Sequence, residues 1–150
     1  MKIYVKTNKF SYNGEDYSVE VLLRVEGKCD CLDKIEHRIA NDEGNEHSDD
    51  YNNVRIHTFL VQKHMETDID YDYNDEMIRY DYEEEDLIPI HYCPICGDKM
   101  WVIVEETIDL TSKIKPLLDE HKKCETGRRS KAKEKRASDI RMEIRNMMFS

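Results

Sequence analysis

The sequence predicts an α+β fold, with an amino-terminal body rich in β-hairpins followed by two helices. Three observations carry that prediction. Residues 1–26 alternate apolar and polar side chains about an Asn-Gly turn. A Cys-x-x-Cys-Gly motif at Cys93–Gly97 stands between two strand-like segments. Beyond residue 108, apolar residues recur at helical spacing. The 150 residues therefore divide into an acidic, β-rich, metal-binding domain over 1–107 and a basic helical segment over 108–150 that packs on it.

Taken in order, Ile3 and Val5 alternate with polar neighbours, and Asn13-Gly14 is a hairpin-turn dipeptide. Tyr17, Val19, Val21, Leu23 and Val25 form the returning strand. Gly27-Lys28 leads to Cys29-Asp30-Cys31. Leu32, Ile35 and Ile39 share one side of a helix, which predicts a short helix over 32–40. Residues 41–53 read as a polar loop in which Tyr51 is the one apolar residue.

A second β region opens at Val54, where Ile56, Thr58 and Leu60 interleave with His57, Phe59 and Val61, so both faces are expected to be partly covered. Residues 66–75 then place Ile69, Tyr71 and Tyr73 on one face and Asp68, Asp70 and Asp72 on the other. Another strand is predicted over Met77–Tyr82, closed by Glu83-Glu84-Glu85-Asp86, and a short buried strand over Met100–Val104. Ile114, Leu117, Leu118 and His121 line one helix face, with Pro116 expected in its first turn. Thr126-Gly127 breaks that helix. From Ser130 a second helix carries Ala137, Ile140, Ile144, Met147 and Met148 as an apolar stripe.

Charge is divided as sharply as structure. Residues 1–109 hold 11 Lys/Arg against 27 Asp/Glu, a net of −16, and residues 110–150 hold 12 against 6, a net of +6. An acidic body favours a basic partner, and a basic tail argues the other way. No apolar run reaches the roughly 18 residues of a membrane span, and the first residues lack a signal-peptide core. A cytoplasmic protein is expected, one in which paired cysteines hold metal more often than they form disulfides.

Cys93 and Cys96 supply half of a tetrahedral zinc site, and Gly97 suits the positive φ of the turn that aims both sulfurs at one ion. A redox Cys-x-x-Cys would sit at a helix N-terminus, whereas this one lies between strands. Cys29 and Cys31, at the end of the first hairpin, are the natural completing pair. His121 with Cys124, or a mixed site using His91 or His37, are the alternatives. Four cysteines close the metal's shell, which makes the site structural rather than catalytic. No phosphate loop, nucleophile elbow or His-Glu-x-x-His appears, so no enzymatic activity is expected.

Residues 66–86 hold eleven carboxylates against one Arg79, with tyrosines at 71, 73, 80 and 82. An EF-hand reading fails, because its sixth position is Tyr73 and its twelfth Arg79. The plain reading is an edge strand blunted by charge. The sharper one is a partner-binding surface that imitates nucleic acid, with Asp68, Asp70, Asp72, Glu83, Glu84 and Glu85 supplying charge and Tyr71 and Tyr73 flat apolar contact. Arg128, Arg129, Lys131, Lys133, Lys135 and Arg136 form a basic cluster that is a solvated helix face, a partner for the acidic body, or a nucleic-acid contact.

Tyr92-Cys93-Pro94-Ile95-Cys96-Gly97-Asp98-Lys99-Met100 resembles the Tyr-Cys-Pro-Phe-Cys-Gly-x-x-Leu signature of small zinc-ribbon proteins carried by phages and prophages of Gram-positive bacteria. The resemblance covers about ten residues. It implies a zinc-ribbon-like body whose knuckle is completed by an earlier cysteine pair, although Cys29-x-Cys31 departs from the usual Cys-x-x-Cys. With the acidic body, the chain is similar to metal-containing anti-CRISPR proteins of the bacterial cytoplasm. That similarity implies binding to the type II effector, Cas9 with its guide RNA, and a block on its engagement with target DNA. A zinc-ribbon nucleic-acid-binding or transcription accessory protein, acting through the basic helix, is the competing class.

Overall fold

The structure, a computed structural model, describes residues 1–42 and 51–150. It is α+β, with six strands in two sheets and two carboxy-terminal helices. Strands β1 (Lys2–Tyr12) and β2 (Glu15–Glu26) form the expected hairpin, and Asn13 and Gly14 both take positive φ at its turn. The other edge of β1 pairs in parallel with β6 (Trp101–Asp109), giving the order β2-β1-β6. The second sheet runs β3 (His37–Asn41), β4 (Ile56–Tyr71), β5 (Met77–Ile90), antiparallel throughout. A parallel bridge from Val19 to Val54 joins the two sheets. The loop expected over 41–53 falls largely on residues 43–50, which lie outside the described residues.

Burial along β1 switches from Ile3 and Val5 to Asn8 and Phe10. Odd and even residues of a strand face opposite ways, so β1 is covered on both sides. Ile3 and Val5 pack with Ile56 of the second sheet. Phe10 packs with Val19, Val54 and the helices α1 (Thr111–Glu125) and α2 (Lys131–Met148), which contribute Ile114, Ile140, Ile144 and Met148. The apolar stripe of α2 thus faces the core, and Ser130 caps its first turn by accepting from the Lys133 amide. Asn8, fully buried, donates from Nδ2 to the carbonyls of Met148 at 2.9 Å and Met147 at 3.2 Å. It thereby satisfies carbonyls that a helix end leaves unpaired.

Four expectations are corrected. Residues 32–40 are not a helix: a 3-10 turn covers Asp30–Lys34 and β3 follows. Leu32 is drawn into a cluster with Cys93 and Met100, and Ile39 into the β3–β4 pairing, so tertiary partners override the helical spacing. The acidic run does not close β5, which continues through Glu83–Asp86 to Ile90 because each of those residues has a β4 partner. The strand after the knuckle is largely exposed at Trp101, Val102 and Val104, none of which packs into a core cluster. Pro116 lies inside α1, beyond its first turn.

The β4–β5 hairpin changes character along its length. At Ile56–Val61 it is covered, with Ile56, Thr58, Phe59 and Val61 buried. Beyond Val61, neither face of Gln62–Tyr71 or its partner strand has a fully buried residue. Ten residues at about 3.3 Å each make a two-stranded arm roughly 33 Å long.

Candidate functional site

The cysteine cluster is assembled by two turns. The knuckle is a turn in which the Cys93 amide donates to the Asp98 carbonyl at 2.8 Å and the Gly97 amide to the Cys93 carbonyl at 2.9 Å. Gly97 holds φ at +79°, where a side chain is disfavoured. Met100 returns to the His91 carbonyl at 2.9 Å, so a short ladder closes around the turn. The second pair rides on the 3-10 turn after β2, where the Leu32 amide donates to the Cys29 carbonyl at 3.2 Å. Buried Leu32, Cys93 and Met100 press the two turns together.

The four sulfurs of Cys29, Cys31, Cys93 and Cys96 consequently lie within 4.8 Å of one another. Four thiolates at about 2.3 Å from a central zinc stand about 3.8 Å apart, so the donor set and its spacing fit a tetrahedral ion. The surroundings set two of the thiols apart. Cys93 is held down to about 7, first by the amide of Cys96, with the Ile95 amide and the sulfurs of Cys29 and Cys96 adding to it against burial. At Cys96 the amide of Asp98 pulls down, but Cys93, burial, Cys29 and Cys31 outweigh it and push that thiol up to about 12.

The alternative ligands are placed elsewhere. His121 and Cys124 lie on α1, which packs on α2 and β1, and His121 Nδ1 faces Glu125 at 3.8 Å. His37 Nδ1 meets the Ile35 carbonyl, and the His91 ring lies edge-on to His57. Among the described residues, the cysteine cluster draws on none of them.

The acidic tyrosine stretch becomes the arm, and strand pairing sorts its residues. Glu66, Asp68 and Asp70 share one face of β4 and lie directly across from Tyr82, Tyr80 and Ile78 of β5. Glu84 is on this face as well, opposite His64. Tyr71, Glu83 and Glu85 are on the reverse face, where Lys63 approaches Glu83 and Glu85 at 3.9 Å and Arg38 meets Glu85 at 2.6 Å. Met65, Ile69, Tyr71 and Met77 are exposed on the outer part of that reverse face, with the Arg79–Asp81 pair at 3.3 Å among them. Asp72 and Tyr73 are in the hairpin turn. Asp72 accepts from the amides of Asn74 and Glu76, a role in shaping the loop, and Tyr73 is 95% exposed.

The Tyr82 hydroxyl donates to Asp68 at 3.1 Å, and that bond, with desolvation and the nearby carboxylates, pushes the phenol up to about 12. In the basic cluster, Arg136 grips Glu120 of α1 through Nε at 2.7 Å and Nη2 at 2.9 Å, a forked pairing that ties α2 to α1. Lys133 Nζ likewise meets the Thr126 carbonyl at 3.2 Å. Arg128, Arg129, Lys131 and Lys135 remain exposed.

No protein-family model matches this chain, and no curated protein or solved structure is found similar to it. Function is therefore argued from the site. No helix among the described residues is long and apolar enough to cross a membrane.

Proposed function

We propose that the protein is a binding protein whose arm occupies the nucleic-acid groove of a basic partner, on a body clamped by one structural zinc. One observation carries the reading. On an uncovered sheet face, the carboxylate row Glu66, Asp68, Asp70 runs beside the tyrosines Tyr82 and Tyr80. Charge repeating every ~6.6–6.8 Å beside flat rings presents a groove built for nucleic acid with the features it recognises, phosphate-like charge and stacking surface. The surrounding negative field steers a basic partner to it.

The zinc belongs to Cys29, Cys31, Cys93 and Cys96. Its chemistry is to hold the end of the first hairpin against the turn that follows β5, and with four thiolates it has no open position for a substrate. This reading gives the protein no catalytic step.

The resemblance of the knuckle selects the first partner to test, Cas9 with its guide RNA, whose engagement with target DNA the arm would block. Purified protein is expected to form a stable complex with the guide-loaded nuclease that target DNA displaces. A double Asp68→Asn, Asp70→Asn variant is expected to weaken that complex at least tenfold. Binding to bare DNA alone, falling steeply with salt, would falsify this reading and favour the nucleic-acid-binding class acting through α2.

A further inference from the structure

We propose that a second divalent-cation site, for a first-row transition ion such as zinc, lies at the root of the arm on His64, Glu66 and Glu84. It shares no ligand with the cysteine cluster, and it stands whether or not the arm binds a nuclease.

His64 and Glu66 are two residues apart on β4 and so project from the same face. The register sets Glu84 directly across from His64. One donor atom from each of the three side chains lies within 4.8 Å of the others. His64 Nε2 is 2.9 Å from Glu66 Oε1 and 3.7 Å from Glu84 Oε2. Nitrogen and oxygen donors bound to one zinc at about 2.0–2.2 Å stand roughly 3.3 Å apart, between those two values.

A separate contact points the imidazole outward. Nδ1 faces Asp86 Oδ2 at 3.4 Å. Without an ion, Nε2 shares a hydrogen with Glu66 at 2.9 Å; an ion taking that place would leave Nδ1 facing Asp86, the arrangement in which second-sphere carboxylates orient metal-bound histidine. Charge argues the same way. Three carboxylates converge on one imidazole, which carries at most a single positive charge, whereas a divalent ion balances two of them outright.

Imidazole with carboxylates suits zinc or manganese, while magnesium and calcium favour oxygen alone. The side chains of His64, Glu66 and Glu84 are 37%, 47% and 48% exposed, which leaves room for water to complete the shell. Such an ion would join β4 to β5 just beyond Val61, where the arm leaves the covered sheet.

The test begins with protein whose cysteine cluster is already filled. Calorimetric titration with zinc chloride is expected to show one further equivalent bound, and amide exchange in β4 around residues 62–66 to slow in the same titration. His64→Ala is expected to lose both effects, Glu84→Gln to weaken binding about tenfold or more, and magnesium to produce neither. A wild-type protein that takes no further equivalent, or a His64→Ala variant that keeps it, overturns the proposal. Cobalt(II) tells the two sites apart, since thiolate ligands give intense charge-transfer absorption and nitrogen and oxygen ligands do not. An empty cysteine cluster is thus distinguishable from an absent second site.

Discussion

The two halves of β4 are one continuous strand in two different settings. Ile56–Val61 runs between β3 and β5 and buries Ile56, Thr58, Phe59 and Val61. Gln62–Tyr71 keeps only β5 as a neighbour and buries nothing fully. Residue choice in the first half answers to the core. In the second half it answers to no packing within the described chain, yet it is highly ordered, with acid and aromatic rows on one face and exposed apolar side chains on the other. An isolated two-stranded hairpin is marginal in water. The proposed function gives that ribbon its use as a contact surface.

The largest expected effect strikes the covered half. On the proposed zinc site, removing the ion with a chelator, or making Cys93→Ser, takes away the clamp between the two turns, and in a small core that free energy is folding free energy. Circular dichroism is expected to show loss of the cooperative thermal transition. A transition that survives metal removal unshifted would mean that the cysteine cluster contributes no stability.

A smaller effect sets the two regions against each other. Ile140→Ala empties a fully buried position between α2 and the first sheet and is expected to cost ~2–5 kcal/mol. Ile69→Ala, at a residue 57% exposed on the arm, is expected to stay within ~0.5 kcal/mol. Urea denaturation measures both. Equal losses would show that the arm is part of the cooperative core.

The smallest effect is a titration. Tyr12 in the body donates to Asp119 at 2.9 Å, and Tyr82 in the arm donates to Asp68. Both phenols are raised, each first by its hydrogen bond. A raised phenol stabilises the fold below the unfolded value near 10 and ceases to do so as pH climbs through the folded one, about 12 for Tyr82. Tyrosinate absorbance is expected to show the Asp68→Asn variant losing one late-titrating tyrosine. An unchanged curve would remove the Tyr82–Asp68 bond from the account of the arm.

Much of this was legible in the sequence, for local reasons. Asn13-Gly14 between alternating strands encodes its own turn, and Cys93–Gly97 encodes its own knuckle. Cys29 and Cys31 followed from the need for two more ligands at the end of a hairpin. What escaped depends on partners far along the chain. Leu32, Ile35 and Ile39 have helical spacing, but the cysteine cluster and β4 claim them for a turn and a strand. Trp101–Val104 is apolar enough for a core, yet no distant element packs on Trp101, Val102 or Val104 to bury them. Asn8 gave no signal, because its partners are the carbonyls of a helix that begins more than a hundred residues later. His64 stood among scattered histidines, and only the register of β4 on β5 brings Glu84 and Asp86 to it.

The parallel pairing of β1 with β6 imposes an order in time. The β1–β2 hairpin closes locally, but the other edge of β1 must wait for a strand made about a hundred residues later at some 5–20 residues per second, a matter of seconds. The cysteine pairs, some sixty residues apart, wait more than half as long for each other. Contacts of such long range form slowly, and an open edge invites the wrong strand meanwhile. Lys2, Lys6 and Lys9 punctuate β1 with charge through that interval, and they discourage other strands until Trp101–Asp109 arrives to take the place.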